Sequence, residues 1–203
     1  MAIETNKSAE KIQLFLKRGI VDLDDERFLD ISVDDVNEVC KLGIAYKLTS
    51  NKLIGKKYLS DKILIAAKEK ESQGARFELD STLISPFIIF EILEELGLQK
   101  LLIRKNDVFV VNIEYILSPE AIMNFCRYRI DEITLSDILL AFGFKDEVHK
   151  NYGFDQQPIL FRSEASLHCE KVLNDLAMNG CLIRSYNQSI FSAFWNFKKM
   201  ERK

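Results

Sequence analysis

Apolar residues recur at helical spacing in seven separate windows of this chain, each bounded by capping or stop residues. From Ser8 to Arg18, Ile12, Phe15 and Leu16 share one stripe, with Ser8 as N-cap and Gly19 as the stop. Ser32 caps a second window, in which Val33, Val36, Val39 and Cys40 lead towards Tyr46, predicting a helix over 33–47. The same period predicts helices over 59–71, 86–96, 119–129, 135–142 and 162–179. Pro86 and Pro119, each behind a serine, sit at the first helical position, where a missing N–H costs nothing. Gly97 and Gly180 read as helix stops. Strand-type alternation appears in Leu101 to Arg104 and Val108 to Ile113, around the turn Lys105-Asn106-Asp107. A second hairpin is predicted over 181–197, with Asn187-Gln188 at its tip. Phe144 to Leu160, polar and carrying Gly153 and Pro158, reads as a mobile insertion.

The pattern also repeats. Leu59-Ser60-Asp61-Lys62-Ile63-Leu64-Ile65-Ala66-Ala67 returns as Leu135-Ser136-Asp137-Ile138-Leu139-Leu140-Ala141-Phe142-Gly143. Ile92-Leu93-Glu94-Glu95-Leu96 and the following Leu102-Ile103-Arg104 return 80 positions later as Val172-Leu173-Asn174-Asp175-Leu176 and Leu182-Ile183-Arg184. The expected organisation is an N-terminal helix and acidic segment (1–30), a first unit (31–114) and a second unit with a basic tail (118–203). Three helices followed by a hairpin resemble the winged-helix fold, here in tandem. The expected class is therefore α+β and mainly helical, with each unit made of three helices plus a β-hairpin wing.

Charge alters what such units would do. Eight carboxylates lie between Asp22 and Glu38 against the single Arg27, whereas Lys41 to Lys70 holds eight lysines and only Asp61 and Glu69. The net charge of the 203 residues is −3, unlike the basic domains of dedicated nucleic-acid binders. Winged helices that read DNA place the helix before the wing in the major groove and need Arg, Lys, Asn or Gln on its outer face. At 100° per residue, Ala165, Cys169, Val172, Leu173 and Leu176 point to the core of the second unit. Leu167, Lys171, Asn174 and Met178 face outward, flanked by Glu164, Glu170 and Asp175. In the first unit Ile89, Ile92, Leu93 and Leu96 point inward, while Phe87, Glu91, Glu94 and Glu95 lie outward or sideways, with Phe90 nearby. Neither face suits phosphate. Phe87, Glu91, Glu94, Leu167, Lys171 and Met178 instead read as a protein-binding surface. Weak, salt-sensitive duplex contact is assigned to Lys52, Lys56, Lys57 and Lys62 and to the tail lysines Lys198 and Lys199.

Motifs that carry chemistry are missing from the sequence. There is no HExxH, Walker-type loop or GxSxG, and Cys40, Cys126, Cys169 and Cys181 form no CxxC pair. His149 and His168 have no nucleophile in register: His168 and Cys169 are helical neighbours that do not face each other. Glu91 and Glu95 share a helix face without a histidine to complete a metal site, and the acidic stretch has no calcium-loop spacing. Phe191, Phe194, Trp195 and Phe197 are expected to seal the last hairpin onto its helices. No catalytic residue, cofactor, metal or small-molecule substrate is expected. No apolar run is long enough to span a membrane, and Met1 to Arg18 lacks the apolar region of a secretion signal, so a reducing, cytoplasmic setting is expected.

Acidic tandem winged-helix chains with poor recognition helices resemble the kleisin-interacting accessory subunits of bacterial condensin-type complexes. These work with ATPases of the structural-maintenance-of-chromosomes (SMC) type, and related subunits serve plasmid and phage defence. The resemblance implies a non-catalytic bridging subunit, partnered by such an ATPase or a kleisin-like protein and nucleoid-associated through that complex. It transfers no functional residue. The alternatives are a DNA-binding winged-helix transcription or replication regulator, and a sorting-complex scaffold.

Overall fold

The computed structural model describes residues 7–48, 51–71, 84–127, 133–144, 149–152, 158–161, 163–184 and 194–196. The protein is a mixed α+β chain with small antiparallel sheets, and it divides into two compact units. One comprises 1–67 with 75–109, the other 68–74 with 110–203.

The first unit begins with α1 (Lys7–Leu16) and β1 (Ile20–Asp22), then a single 3-10 turn at Glu26–Phe28. Next come α2 (Val33–Lys41), β2 (Ala45–Lys47), β3 (Lys52–Gly55) and α3 (Lys56–Lys70). Helix α4 (Pro86–Leu98) and the hairpin β4 (Leu102–Lys105) and β5 (Val108–Val111) follow. The three strands form an antiparallel sheet in the order β1-β3-β2, with Val21 opposite Leu53 and Tyr46 opposite Ile54. Its inner face shares one core with α1 and α2, built from Ile12, Leu16, Val21, Phe28, Val36, Val39, Ala45 and Leu53. Residues 1–30 were expected as a separate segment; α1 and β1 instead belong to this core. Burying an apolar side chain such as Ile12 or Leu16 contributes about 1.5–3 kcal/mol, and neither has another place to go.

Helix ends explain the other departures. Ser32 caps α2 as the sequence predicts, and Asp35 completes a capping box with it. The helix stops at Lys41 instead of continuing towards residue 47, because Gly43 takes a left-handed φ of 68°. Its N–H and that of Ile44 then turn back to the carbonyls of Cys40 and Val39, and the chain leaves as a strand. Gly143 and Gly180 end two later helices in the same way. In α4 the stop is not Gly97, which stays helical; Lys100 takes the left-handed position with φ 61°. The hairpin β4–β5 forms where alternation predicts it, turning at Asn106 and Asp107, both with positive φ. Among the described residues it pairs only within itself, so the three-stranded sheet of this unit lies earlier in the chain than the expected wing.

The second unit contains the short α5 (Ile113–Ile116), α6 (Pro119–Arg127), β6 (Ile133–Thr134) and α7 (Leu135–Ala141). A hairpin, β7 (His149–Tyr152) and β8 (Pro158–Phe161), precedes α8 (Glu164–Met178), β9 (Ile183–Arg184) and β10 (Phe194–Asn196). The segment read as a mobile loop thus contains paired strands, with His149 opposite Phe161. The strands of the predicted last hairpin do pair, in a sheet of order β6-β10-β9; its tip at Asn187-Gln188 lies outside the described residues, and so do Phe191 and Phe197. Ile122, Cys126, Ile138, Leu139, Cys169, Val172 and Leu173 are buried along α6, α7 and α8. Thr134 and Asp137 form the capping box of α7. The end of α3 supplies charges to two helix termini of this unit. Lys68 Nζ donates to the carbonyl of Phe142 at 2.6 Å, past the C-terminus of α7, and Glu71 Oε2 accepts the N–H of Glu164 at 2.8 Å, at the start of α8. Both signs suit the helix dipole, although burial lowers the Lys68 pKa.

Candidate partner-binding surface

Helix α4 has two distinct sides. Ile92 and Leu96 are buried, and Ile89 and Leu93, expected to point fully inward, are half-buried. Phe87 is 85% exposed, Phe90 51% and Leu98 85%, in line with the outward placement of the two phenylalanines. The ring of Phe90 meets that of Phe109 edge to face at 6.4 Å, which holds it upright beside the stripe. Leu98 escaped sequence reasoning because Gly97 looked like the helix end; its signal was a position eleven residues, or three turns, beyond Phe87.

The acidic residues of α4 divide by partner. Glu95 pairs with Lys56 Nζ at 2.8 Å, and this carboxylate, before any other cause, raises the Lys56 pKa. Glu91 lies 3.9 Å from the same ammonium and accepts a hydrogen bond from Tyr46 Oη at 3.1 Å. The Tyr46 pKa is raised, first by burial and then by that hydrogen bond. Glu94 is exposed and has no partner among the described residues. Beside this network lies a cleft of about 460 Å³ lined by Gly43, Ile44, Lys57, Ser60, Asp61 and Leu96 among others.

Helix α8 matches its predicted faces except at Asn174, expected outward and found half-buried. Ala165, Ser166, Cys169, Val172, Leu173 and Leu176 are buried, whereas Leu167 (54%), Lys171 and Met178 (78%) are exposed. Glu164 and Asp175 are exposed as well, so Lys171 stands in an acidic setting. Helix α2, which precedes the β2–β3 hairpin, offers no better surface for DNA. It exposes Val33, Asp34, Asn37, Glu38 and Lys41.

The lysines expected to touch DNA are mostly engaged in unit one. Lys52 lies 3.6 Å from Asp22, Lys56 is paired with Glu95, and Lys62 sits over the Tyr58 ring at 5.5 Å. Lys57 is exposed without a partner among the described residues. Lys198 and Lys199 lie outside the described residues. The acidic stretch is likewise divided into local contacts. Asp25 binds Arg27 and is lowered to about 2, chiefly by that side-chain hydrogen bond. Asp30 binds Lys11, Asp24 accepts from Asn51, and Asp35 caps α2. The acidic-then-basic polarity of the sequence thus resolves in part into cross-links, two of which bring residues 22 and 24 to residues 52 and 51 across β1 and β3.

Burial pushes the Cys169 thiol up to about 12 and also raises that of Cys40, so neither is a ready thiolate. His168 is half-buried, and its Nε2 has no hydrogen-bond partner among the described residues. No group of three metal-ligating side chains occurs among the described residues, and no helix among them is long and apolar enough to cross a membrane. No family model matches the chain, and no curated protein or solved structure is significantly similar to it.

Proposed function

We propose that this chain is a non-catalytic bridging subunit, built from two winged-helix units, that binds protein partners in a DNA-associated ATPase complex of SMC type. Such complexes act in chromosome maintenance or in plasmid and phage defence. Support for the winged-helix reading comes from element order. Helix, strand, helical turn, helix and hairpin run from α1 to β3; helix, strand, helix, an intervening hairpin, helix and hairpin run from α6 to β10. In each set the first strand pairs with the last strand of the hairpin, giving the orders β1-β3-β2 and β6-β10-β9. On this reading the first winged helix spans α1 to β3 rather than 31–114, and α3, α4 and β4–β5 are additions to it.

One observation carries the functional reading. Three of the helices that precede a hairpin, α2, α4 and α8, present mainly carboxylates or large apolar side chains outward, with Asn37, Lys41 and Lys171 among them, where a DNA reader needs base. A regulator would have to bind through lysines that are largely paired with Asp22, Glu95 and Tyr58.

The test is affinity purification of the tagged protein from its native cells, beside a duplex mobility-shift titration. Recovery of a large ATPase or kleisin-like protein, with duplex binding weaker than about 10⁻⁶ M at physiological salt, is expected. Sequence-specific binding at about 10⁻⁸ M or tighter, without a protein partner, would overturn the reading in favour of a regulator.

A further inference from the structure

The sequence repeat extends from the core to the exposed surface of its two long helices. On α4, Phe87, Glu91, Glu94 and Leu98 fall at positions i, i+4, i+7 and i+11. On α8, Leu167, Lys171, Asn174 and Met178 occupy the same four positions, 80 residues on. Both stripes have a large apolar side chain at each end, from 54% to 85% exposed. Each spans about 16 Å along its helix axis. They differ in the centre, where α4 has two carboxylates and α8 an ammonium and an amide.

That difference selects the occupant. A second copy of α4 laid antiparallel would set Glu91 against Glu94 and Glu94 against Glu91, and like charges at an interface are repelled; α8 of a second copy would offer only one cation, Lys171, beside the half-buried Asn174. Duplex DNA and anionic membrane surfaces are rejected by the same like-charge repulsion. A helix with apolar residues at the two ends of a stripe and Lys or Arg between them complements both apolar ends and the acidic centre, where Glu94, without a partner among the described residues, can receive one of those cations. We propose that the α4 stripe docks a basic-centred amphipathic helix of a partner protein. The α8 stripe has Lys171 and Asn174 where α4 has Glu91 and Glu94, so it offers no inner carboxylate to such a helix and the two stripes take different partners. The inference rests on the protein-binding role proposed above and assigns the chemistry of one partner.

The test uses the full-length protein and a fluorescently labelled synthetic helix of about four turns. The peptide carries leucines at the outer stripe positions and arginines at the two inner ones, with a glutamate-centred peptide as control. Saturable binding of the arginine peptide at one per chain is expected, with at least about tenfold weaker binding of the control. Glu91→Lys with Glu94→Lys should reverse the preference. Glu94→Lys alone, at a position without a structural partner, guards against misfolding and should also weaken arginine-peptide binding. Lys171→Glu with Asn174→Glu should raise the stoichiometry from one to two. Absence of binding at about 1 mM peptide, equal binding of both peptides, or insensitivity to Glu94→Lys would each overturn the inference. So would preferential binding of the protein to anionic vesicles. Native recovery of an ATPase without peptide binding would refute this inference and leave the bridging role intact.

Discussion

Substituting Gly55 tests whether α1 is part of the first unit's core. This glycine joins β3 to α3, and a Cβ built there would lie 2.8 Å from the carbonyl oxygen of Leu16, with Leu16 Cβ at 3.2 Å and its carbonyl carbon at 3.3 Å. Two of the three atoms are backbone, so a rotamer change cannot relieve the clash. The end of α1 must move by roughly half an ångström to restore ordinary contact. Ile12 and Leu16 are 0% and 2% exposed. Releasing α1 outright would therefore forfeit about 1.5–3 kcal/mol for each, and a strained shift is cheaper. The expected cost of Gly55→Ala is that of overpacking, about 1–3 kcal/mol. Gly43→Ala is the matched control. It has nothing within 4 Å of the new Cβ, and its cost comes only from the left-handed φ of 68°. That penalty is about 1–2 kcal/mol and should leave α1 untouched. Urea unfolding followed by circular dichroism gives the stabilities, and amide hydrogen exchange locates the loss. Gly55→Ala should speed exchange in α1 and β3, and Gly43→Ala only around the end of α2. Wild-type stability and exchange in Gly55→Ala would refute the placement of α1 against the β3–α3 junction.

Three further outcomes can be measured on the same protein. Leu167→Glu with Met178→Glu alters side chains 54% and 78% exposed, so stability should stay within about 0.5 kcal/mol per site while partner recovery is lost; a large fall in melting temperature would show both to be core. The Lys56–Glu95 pair raises the folded lysine pKa above 10.5, so its stabilisation is complete below that value and is lost as pH rises through the higher folded pKa. Lys56→Met should therefore flatten the alkaline limb of the stability profile, by an amount within the 0–1 kcal/mol typical of such pairs, and an unchanged limb would count against the pair. Cys169, buried and pushed up to about 12, should resist iodoacetamide at neutral pH while exposed Cys181 reacts, as read by mass spectrometry of labelled peptides. Equal labelling would contradict the packing of α8.

Local signals were read well where the governing interaction is itself local. The Ser32 cap of α2, the proline starts of α4 and α6, and the buried face of α8 all follow from neighbours within a turn or two. The candidate stripe residues Phe87, Glu94, Leu167, Lys171 and Met178 were legible for that reason, since a helix exposes what its period turns away from the core. Helix ends were harder. Glycine favours the left-handed position, yet Gly97 remains helical and Lys100 takes the turn, because the return bonds run from Lys100 to Gly97 and from Leu101 to Leu96.

The charged residues show the limit most clearly. In the sequence, Lys52 and Lys56 read as free cations near phosphate, and Asp22 as part of a solvated acidic run. In the fold, β1 pairs with β3 and brings Asp22 to Lys52, while α4 brings Glu95 to Lys56. Tyr46 joins Glu91 only because α2 ends at Lys41 and the next three residues but three form β2. The sequence alone therefore determined which residues share a helix face, where α2, α4, α6 and α7 start and the sign of each exposed stripe, but not the start of α3 at Lys56 or the short α5. Tertiary structure alone decided which strands pair, which unit owns α1 and which lysines remain available. The first set depends on periodicity over a few residues; the second depends on contacts between segments tens of residues apart, which no local pattern encodes.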